Sequence, residues 1–313
     1  MDGRAPEELR VDPTSPATLP RMARRAGSSP SGQVAPLLLA FLTGFSPRGT
    51  VNPLDSHEQP LAQADREAIY ARTDLELSVA DFFKPNPQTT EAIDVYQALL
   101  LLQEVADSAA FPDADSFGAV TNTDGRPRID RDHPTVYFSE STATVNGREH
   151  DQMSFIWLYS LDTSTSEESL AAQGLRLTYD STGSPAIMEV LADETGLQLV
   201  FVSRHLEESA RLELGPPLPG RRYSVEQSIE EAPGIVVAGV LEDSPEPMGP
   251  VVYLRAGSRE VSTVLCRCMP SQARHIRQTL EYELVPMERL GELGVEAPVW
   301  SATLQRLRLP RDF

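Results

Sequence analysis

Alternating apolar and polar residues fill the second half of the chain and predict a series of β-strands. Beyond His133, short apolar stretches recur with turn-forming residues between them, which is typical of strands that pair as hairpins. The clearest hairpin signal is Asn146-Gly147, because both residues tolerate the positive φ angles of a two-residue turn. The predicted strands are residues 135–138, 141–145, 149–159, 175–179, 186–191, 197–202 and 235–241.

The most informative stretch, residues 249–284, combines two strand-like segments, a tight turn and both cysteines of the chain. A glycine-containing turn separates residues 251–254 from residues 261–269, so these two segments are predicted to pair as a hairpin. Side chains alternate along a strand, which places Cys266 and Cys268 on the same face of the second segment.

Helical spacing of apolar residues predicts helices on both sides of these strands. Pro270 suits a first helical position, and Ile276 and Leu280 follow it four residues apart, which predicts a helix of about three turns. Upstream, residues 89–110 have apolar residues at helical spacing behind a threonine that can cap the helix. Further helices are predicted at residues 61–71 and 207–214, and a last one around Trp300, Leu304 and Leu307.

Residues 185–194 fit a helix as well as a strand, because their apolar positions also lie one helical turn apart. With a helix there, residues 175–240 loosely resemble the short N-terminal domain of secretins and TonB-type receptors. The matching segments are residues 194–200 (ETGLQLV) and 220–229 (GRRYSVEQSI). The resemblance implies no catalytic chemistry, and a long insertion at residues 204–219 interrupts the family pattern.

Together these elements predict an α+β fold with a mainly antiparallel sheet built from hairpins and two or three packing helices. A helical region and a disordered N-terminal arm are expected to precede it. The arm is rich in Pro, Ser, Arg and Glu and lacks apolar periodicity. The predicted boundaries are 1–33 for the disordered arm, 34–128 for the helical and loop region, 129–284 for the α+β core and 285–313 for a C-terminal tail that docks on the core.

The charge of the chain limits the classes of partner. Its 313 residues include 46 acidic and 27 basic side chains, a net charge of −19. Nucleic acids and anionic membranes bind nonspecifically by exchanging counterions for Lys and Arg, so this balance disfavours both. We expect no nucleic-acid partner.

No apolar segment reaches the roughly 18 to 20 residues that a bilayer-spanning helix needs, so we expect no membrane span and a cytoplasmic protein. Residues 34–45 (VAPLLLAFLTGF) are apolar and follow several arginines. If translation begins at Met22, this segment resembles the apolar part of a signal peptide and predicts export. The alternative is a short apolar segment that docks on the folded domain.

The two cysteines are the first candidate site. Two thiolates on one strand face can bind zinc or iron, and a helix N-terminus beside Cys268 favours the reactive thiolate. Cys266, Cys268 and His275 are therefore a candidate metal site, with His133 or His150 as a further ligand. The alternative is structural burial, since metal-binding cysteines usually lie farther apart and a buried thiol packs as a small hydrophobic group.

Arg221 and Arg222 are the second candidate site. They end a proline-rich loop, residues 216–222, and two guanidinium groups on a rigid loop can hold a carboxylate or phosphate. The alternative interpretation is a connector whose arginines pair with local glutamates, namely Glu226, Glu230 and Glu231.

The sequence lacks the motifs of serine hydrolases, P-loop proteins and dinucleotide-binding enzymes. We therefore expect a soluble, non-enzymatic binding or assembly module that acts through an apolar face or a sheet edge, on a protein partner or on itself. The alternative hypothesis is a metal- or thiol-dependent enzyme centred on Cys266, Cys268 and His275. The sequence leaves open whether the chain is an enzyme.

Overall fold

A computed structural model describes residues 61–72, 79–88, 93, 95–105, 116–123, 125–161, 169–193, 195–244, 246–267 and 276–313. They belong to one compact unit, Val51–Phe313. A separate unit, Met1–Thr50, lies outside the described residues, and so do the predicted disordered arm and the apolar segment 34–45.

The described part of the chain is mostly strand. The strands are β1 Ala80–Pro85, β2 Leu100–Glu104, β3 Ala119–Thr123, β4 Arg126–Asp130, β5 Thr135–Val145, β6 Arg148–Leu161, β7 Ser169–Tyr179, β8 Pro185–Val190, β9 Gln198–Ser203, β10 Ile235–Leu241, β11 Val251–Leu254, β12 Val261–Leu265 and β13 Ile276–Pro286. The helices are α1 Gln63–Arg72, α2 Arg204–Leu214 and α3 Glu288–Glu292, and a 3-10 turn follows at Leu304–Arg306.

Eleven strands form one mixed sheet in the order β10-β9-β8-β7-β6-β5-β13-β1-β2-β11-β12, while β3 and β4 pair as a separate hairpin. The strands pair in parallel at β9–β10, β5–β13, β1–β13 and β2–β11, and the other neighbours in the large sheet are antiparallel. The sheet curls until its two end strands, β10 and β12, contact each other, although these two described strands share no backbone pairing. The large sheet therefore nearly closes on itself.

This nearly closed mixed sheet overturns the predicted α+β fold of antiparallel hairpins with packing helices behind a helical region. Strands β1 and β2 come from the region predicted to be helical, and they lie inside the sheet between β13 and β11. Three of the four parallel pairings, β5–β13, β1–β13 and β2–β11, join segments that are far apart in the sequence. Such pairings depend on long-range contacts, which local periodicity does not report.

The helix predicted at residues 89–110 is wrong, because its centre is strand β2. The side chains of Leu101 and Leu102 point to opposite faces of the sheet, and both are buried. A strand covered on both faces has apolar residues at every position, as a buried helix does.

The helix predicted after Pro270 is also wrong from Ile276 onward, where strand β13 begins. Ile276 and Leu280 are four residues apart, and four is both an even number and close to one helical turn. The same spacing therefore fits either element. Residues 268–275 lie outside the described residues.

Several local predictions are confirmed. Asn146 and Gly147 have φ angles of 50° and 77° in the turn between β5 and β6. Strands β11 and β12 pair antiparallel, as the glycine-containing turn indicated. Helices α1 and α2 occupy the segments predicted at residues 61–71 and 207–214, while the last predicted helix is only the short 3-10 turn.

The alternative helix at residues 185–194 is wrong. Strand β8 covers Pro185–Val190 and pairs antiparallel with both β7 and β9. The resemblance to the secretin and TonB-type domain required that helix, so the structure removes its basis.

The main apolar core lies inside the curled sheet. In the predicted central strand β6, Phe155 and Trp157 pack into this core, while Ile156 and Leu158 pack into a second cluster that includes Leu290 of α3. A third cluster joins β8, β9 and β10 to helix α2 and to the segment around Leu304, Leu307 and Phe313. No helix among the described residues is long and apolar enough to cross a bilayer.

Candidate functional site

A cleft of about 410 Å³ lies beside the ends of strands β10 and β12. Five segments form its walls: the β7–β8 turn with the start of β8, the start of α2, the connection from β10 to β11, the residues just after β12, and residues 310–313. The cleft therefore forms where the two end strands of the large sheet finish.

The floor of the cleft is apolar and buried. It consists of Ala186, Met188, Leu206, Leu241, Pro250, Cys266, Pro310 and Phe313. Helix α2 contributes Leu206 because Ser203 Oγ caps the helix by accepting the Leu206 N–H at 3.2 Å, which fixes where the helix begins. An apolar floor of this kind can bury the hydrocarbon part of a ligand.

The rim of the cleft is acidic. Five carboxylates line it, from Asp180, Glu242, Asp243, Glu246 and Asp312. The basic or titratable groups in the same lining are Arg267 and His205. The potential at the mouth of the cleft therefore favours cations over anions.

Three of the rim carboxylates also hold the local structure. The Asp180 Oδ1 accepts the backbone N–H groups of Thr182 at 2.8 Å and of Ser184 at 3.0 Å, which stabilises the β7–β8 turn. Glu242 forms an ion pair with Arg204, and the hydrogen bond from this arginine lowers the pKa of the Glu242 carboxyl.

Asp243 accepts the backbone N–H of His205 at 3.1 Å, in the first turn of α2. A carboxylate at this position satisfies a helix N–H that has no partner within the helix and complements the helix dipole. These bonds fix the β10–β11 connection against α2.

The other two rim carboxylates are available to a ligand. Asp312 has a 97% exposed side chain, and the nearest guanidinium nitrogen, of Arg148, is 4.0 Å away. Among the described residues, no hydrogen bond or ion pair reaches the Glu246 carboxylate, while its backbone N–H donates to Ser244. Glu246 and Asp312 are therefore the rim groups that can neutralise a bound cation without losing an internal hydrogen bond to their carboxylates, although Asp312 has the 4.0 Å ion pair with Arg148.

The structure describes one of the three residues predicted to bind zinc or iron. Cys266 lies one residue beyond β12, is 8% exposed and lines the cleft, and its sulfur takes part in a disulfide. Cys268 and His275 lie outside the described residues. The metal site therefore stays a prediction.

The two histidines considered as further metal ligands lie in different surroundings. His133 is exposed and forms an ion pair with Asp130 at 2.8 Å. His150 is buried, with Nδ1 3.0 Å from the Tyr179 carbonyl oxygen and its ring stacked on Phe313. Within the described parts of the chain, no three His, Cys, Asp or Glu side chains are arranged to hold a metal ion.

The two arginines predicted to bind an anion differ in burial. Arg221 is 1% exposed and donates to the carbonyl oxygens of Ala232 and Ile235, both at 2.7 Å. It also forms an ion pair with Glu226, which is the pairing that the alternative interpretation predicted. Arg222 is exposed, and its guanidinium lies over the ring of Tyr223. Anion binding by this pair stays a prediction.

Sequence reasoning missed the cleft, because its walls come from five segments that only the fold brings together. One local signal was present in the acidic turn EDSPE, residues 242–246. Such a run is usually a solvated turn, and the buried apolar floor beneath it is visible only in the structure.

Neither a family model, nor a curated protein, nor a solved structure matches this chain.

Proposed function

We propose that the chain is a non-enzymatic binding module and that its cleft takes a positively charged, partly apolar segment of a protein partner. The lining supports this proposal, since a buried apolar floor lies below five carboxylates. A volume of about 410 Å³ is within the ordinary range of ligand sites and accommodates one or two side chains of a peptide.

The two parts of the lining have different roles in binding. Burial of apolar ligand surface against Met188, Leu206 and Leu241 contributes roughly 25 cal/mol per Å², and it supplies most of the affinity. Four of the five rim carboxylates belong to exposed residues and Asp180 is partly buried, so an ion pair at the exposed positions contributes only about 0.2–1 kcal/mol. Their main effect is to select cationic ligands and to speed association at low salt.

Fluorescence anisotropy with two labelled peptides of equal length tests this proposal. One peptide alternates arginine with leucine, and the other alternates glutamate with leucine. We expect the arginine peptide to bind and the glutamate peptide to bind at least about tenfold more weakly, and we expect affinity to fall as salt is added. Equal affinity for the two peptides would contradict the proposal.

Variants show whether the cleft is the binding site. Glu246→Gln combined with Asp312→Asn removes two rim charges, of which only Asp312 has an internal ion pair, at 4.0 Å from Arg148, and affinity should fall about 2- to 10-fold. Ser209→Trp places a large ring in the cleft and should abolish binding. The exposed Glu230→Gln, outside the cleft lining, is the matched control and should leave affinity unchanged.

A second candidate function is a metal- or thiol-dependent enzyme centred on Cys266, Cys268 and His275. The observation that favours it is the position of Cys266 on the wall of the cleft. Elemental analysis of the purified protein separates the two candidates. Stoichiometric zinc or iron that is lost in Cys266→Ala would support the enzyme, whereas metal-free protein that binds the arginine peptide would support the binding module.

A further inference from the structure

Arg66 of helix α1 carries a buried positive charge that no carboxylate neutralises among the described residues. The residue is only 6% exposed. Its Nη1 donates to the carbonyl oxygen of Leu61, just before the helix, while its Nε is buried and has no hydrogen-bond partner. Burying a charged group is costly unless an acceptor of opposite charge replaces the lost water. Arg66 therefore lacks the anionic partner that its burial requires.

Arg222 has a similar arrangement in the loop beside α1. Its Nη1 donates to the carbonyl oxygen of Tyr70 at 3.2 Å, and its guanidinium lies 5.7 Å from the centre of the Tyr70 ring. Its Nε and Nη2 donate to no atom within the described parts of the chain. Arg222 is exposed, so a ligand can reach it from solvent.

The two arginines lie on the same interface, between α1 and the turn at Gly220. Tyr70 follows Arg66 by four residues, so both side chains lie on the same side of α1. Gly220 has a φ angle of 76°, and a Cβ added there would lie 3.7 Å from Nη2 of Arg66. The guanidinium of Arg66 therefore lies against the turn that leads into Arg222.

The free nitrogens are the ones that this chain uses elsewhere to hold an oxyanion. Nε and Nη2 form one edge of a guanidinium, and this edge donates to both oxygens of a carboxylate in two internal ion pairs, Arg176–Glu189 and Arg204–Glu242. Arg66 and Arg222 present the same edge without a carboxylate. Its two parallel donors match the oxygens of a carboxylate or a phosphate group.

The nearby Glu226 does not neutralise these two arginines. It forms its ion pair with Arg221, and its oxygens also accept three backbone N–H groups and the hydroxyl of Tyr70. The positive charges of Arg66 and Arg222 therefore remain. A phosphate monoester carries a charge of about −1.5 to −2 at pH 7, which balances two arginines, whereas a carboxylate balances one.

We propose that Arg66 and Arg222 bind the phosphate group of a small ligand at the interface between α1 and the turn at Gly220. Arg66 supplies a buried donor edge, and Arg222 supplies an exposed one. Neither residue lines the cleft, so this site does not depend on the proposed function.

Isothermal titration calorimetry with inorganic phosphate, at pH 7.5 and constant ionic strength, tests the proposal. We expect one phosphate to bind per chain. Arg222→Gln removes an exposed guanidinium and should fold, and it should weaken phosphate binding at least about tenfold, because charge-assisted hydrogen bonds are lost. Arg66→Lys keeps the charge but removes the two-donor edge, so it should also weaken binding.

Arg126→Gln removes another exposed arginine, on β4, and should bind phosphate as the wild type does. Circular dichroism establishes that each variant is folded, and Arg222→Gln alone decides the outcome if Arg66→Lys does not fold. A wild-type protein that binds no phosphate up to about 20 mM overturns the proposal. So does phosphate binding that Arg222→Gln leaves unchanged. Acetate that binds as tightly as phosphate would show that the site takes a carboxylate, which also overturns it.

Discussion

The Glu226 carboxylate accepts a hydrogen bond from the backbone N–H of Val237 at 3.1 Å, on the side of β10 that pairs with no strand among the described residues. Next to it, the Arg221 guanidinium donates to the carbonyl of Ile235 at 2.7 Å. Two side chains thus replace a neighbouring strand along the first half of β10. An edge blocked in this way resists pairing with another chain.

Glu226 is the centre of this buried arrangement. Its carboxylate also accepts the backbone N–H groups of Arg222 and Tyr223, both at 3.0 Å, and the hydroxyl of Tyr70 in α1. Burial raises the pKa of the Glu226 carboxyl, and the surrounding N–H donors and the Arg221 guanidinium lower it in part. Burial also raises the pKa of Tyr70, so this tyrosine stays a hydrogen-bond donor.

We expect Glu226→Ala to lower the free energy of unfolding by about 3–5 kcal/mol, because it leaves the buried Arg221 charge and several N–H groups without their acceptor. Glu226→Gln keeps one oxygen acceptor and should cost less, about 1–3 kcal/mol. Urea denaturation followed by circular dichroism measures both. The exposed Glu230→Ala is the matched control, and a Glu226→Ala loss no larger than that of the control would contradict this role.

Gly249→Ala tests the close approach of the β10–β11 connection to the segment before β2. A Cβ added at Gly249 would lie 2.4 Å from the carbonyl oxygens of both Gln97 and Ala98. These are backbone atoms that cannot rotate away, so we expect a loss of about 1–3 kcal/mol or more in the free energy of unfolding. Gly291→Ala is the control, since a Cβ there meets open space and the residue lies in helix α3. Thermal denaturation of both variants measures the effect. Equal decreases in melting temperature for Gly249→Ala and Gly291→Ala would show that the close approach at Gly249 is absent.

The hairpins of this fold were predictable because their information is local. Asn146 and Gly147 specify a tight turn by their own backbone preferences, and the strands on both sides follow directly. Strand β13 was not predictable in the same way. Its sequence contains helix-favouring residues such as Arg277, Gln278 and Leu280, and its two parallel partners, β1 and β5, lie far upstream. Pairing with distant strands overrode the local preference.

The candidate site, like the fold, could be predicted from the sequence only in part. The sequence drew attention to Cys266, and the structure does place this residue on the wall of the cleft. Glu246 and Asp312 were not predicted as site residues, because a single acidic residue in a loop is usually solvated. They lie on the same rim only because the β10–β11 connection and residues 310–313 meet beside the ends of β10 and β12.

His133 and Asp130 give a prediction about pH. The hydrogen bond between them, at 2.8 Å, raises the pKa of His133 above its ordinary value and lowers the pKa of Asp130. Because the folded-state pKa of the histidine is raised and that of the aspartate is lowered, the pair stabilises the fold fully between their unfolded-state pKa values, about 3.9 for Asp and about 6.5 for His. At acid pH the contribution is lost as the pH falls through the lowered pKa of Asp130. It is also lost as the pH rises through the raised pKa of His133.

An NMR titration of the His133 ring protons measures this shift. Asp130→Asn removes the main cause and should return the pKa of His133 most of the way to its ordinary value. Asp132→Asn removes a weaker charge that makes no hydrogen bond to the ring, so it should lower the pKa of His133 by less. If both substitutions lower it equally, general negative charge near His133 causes the shift, and the hydrogen bond to Asp130 does not.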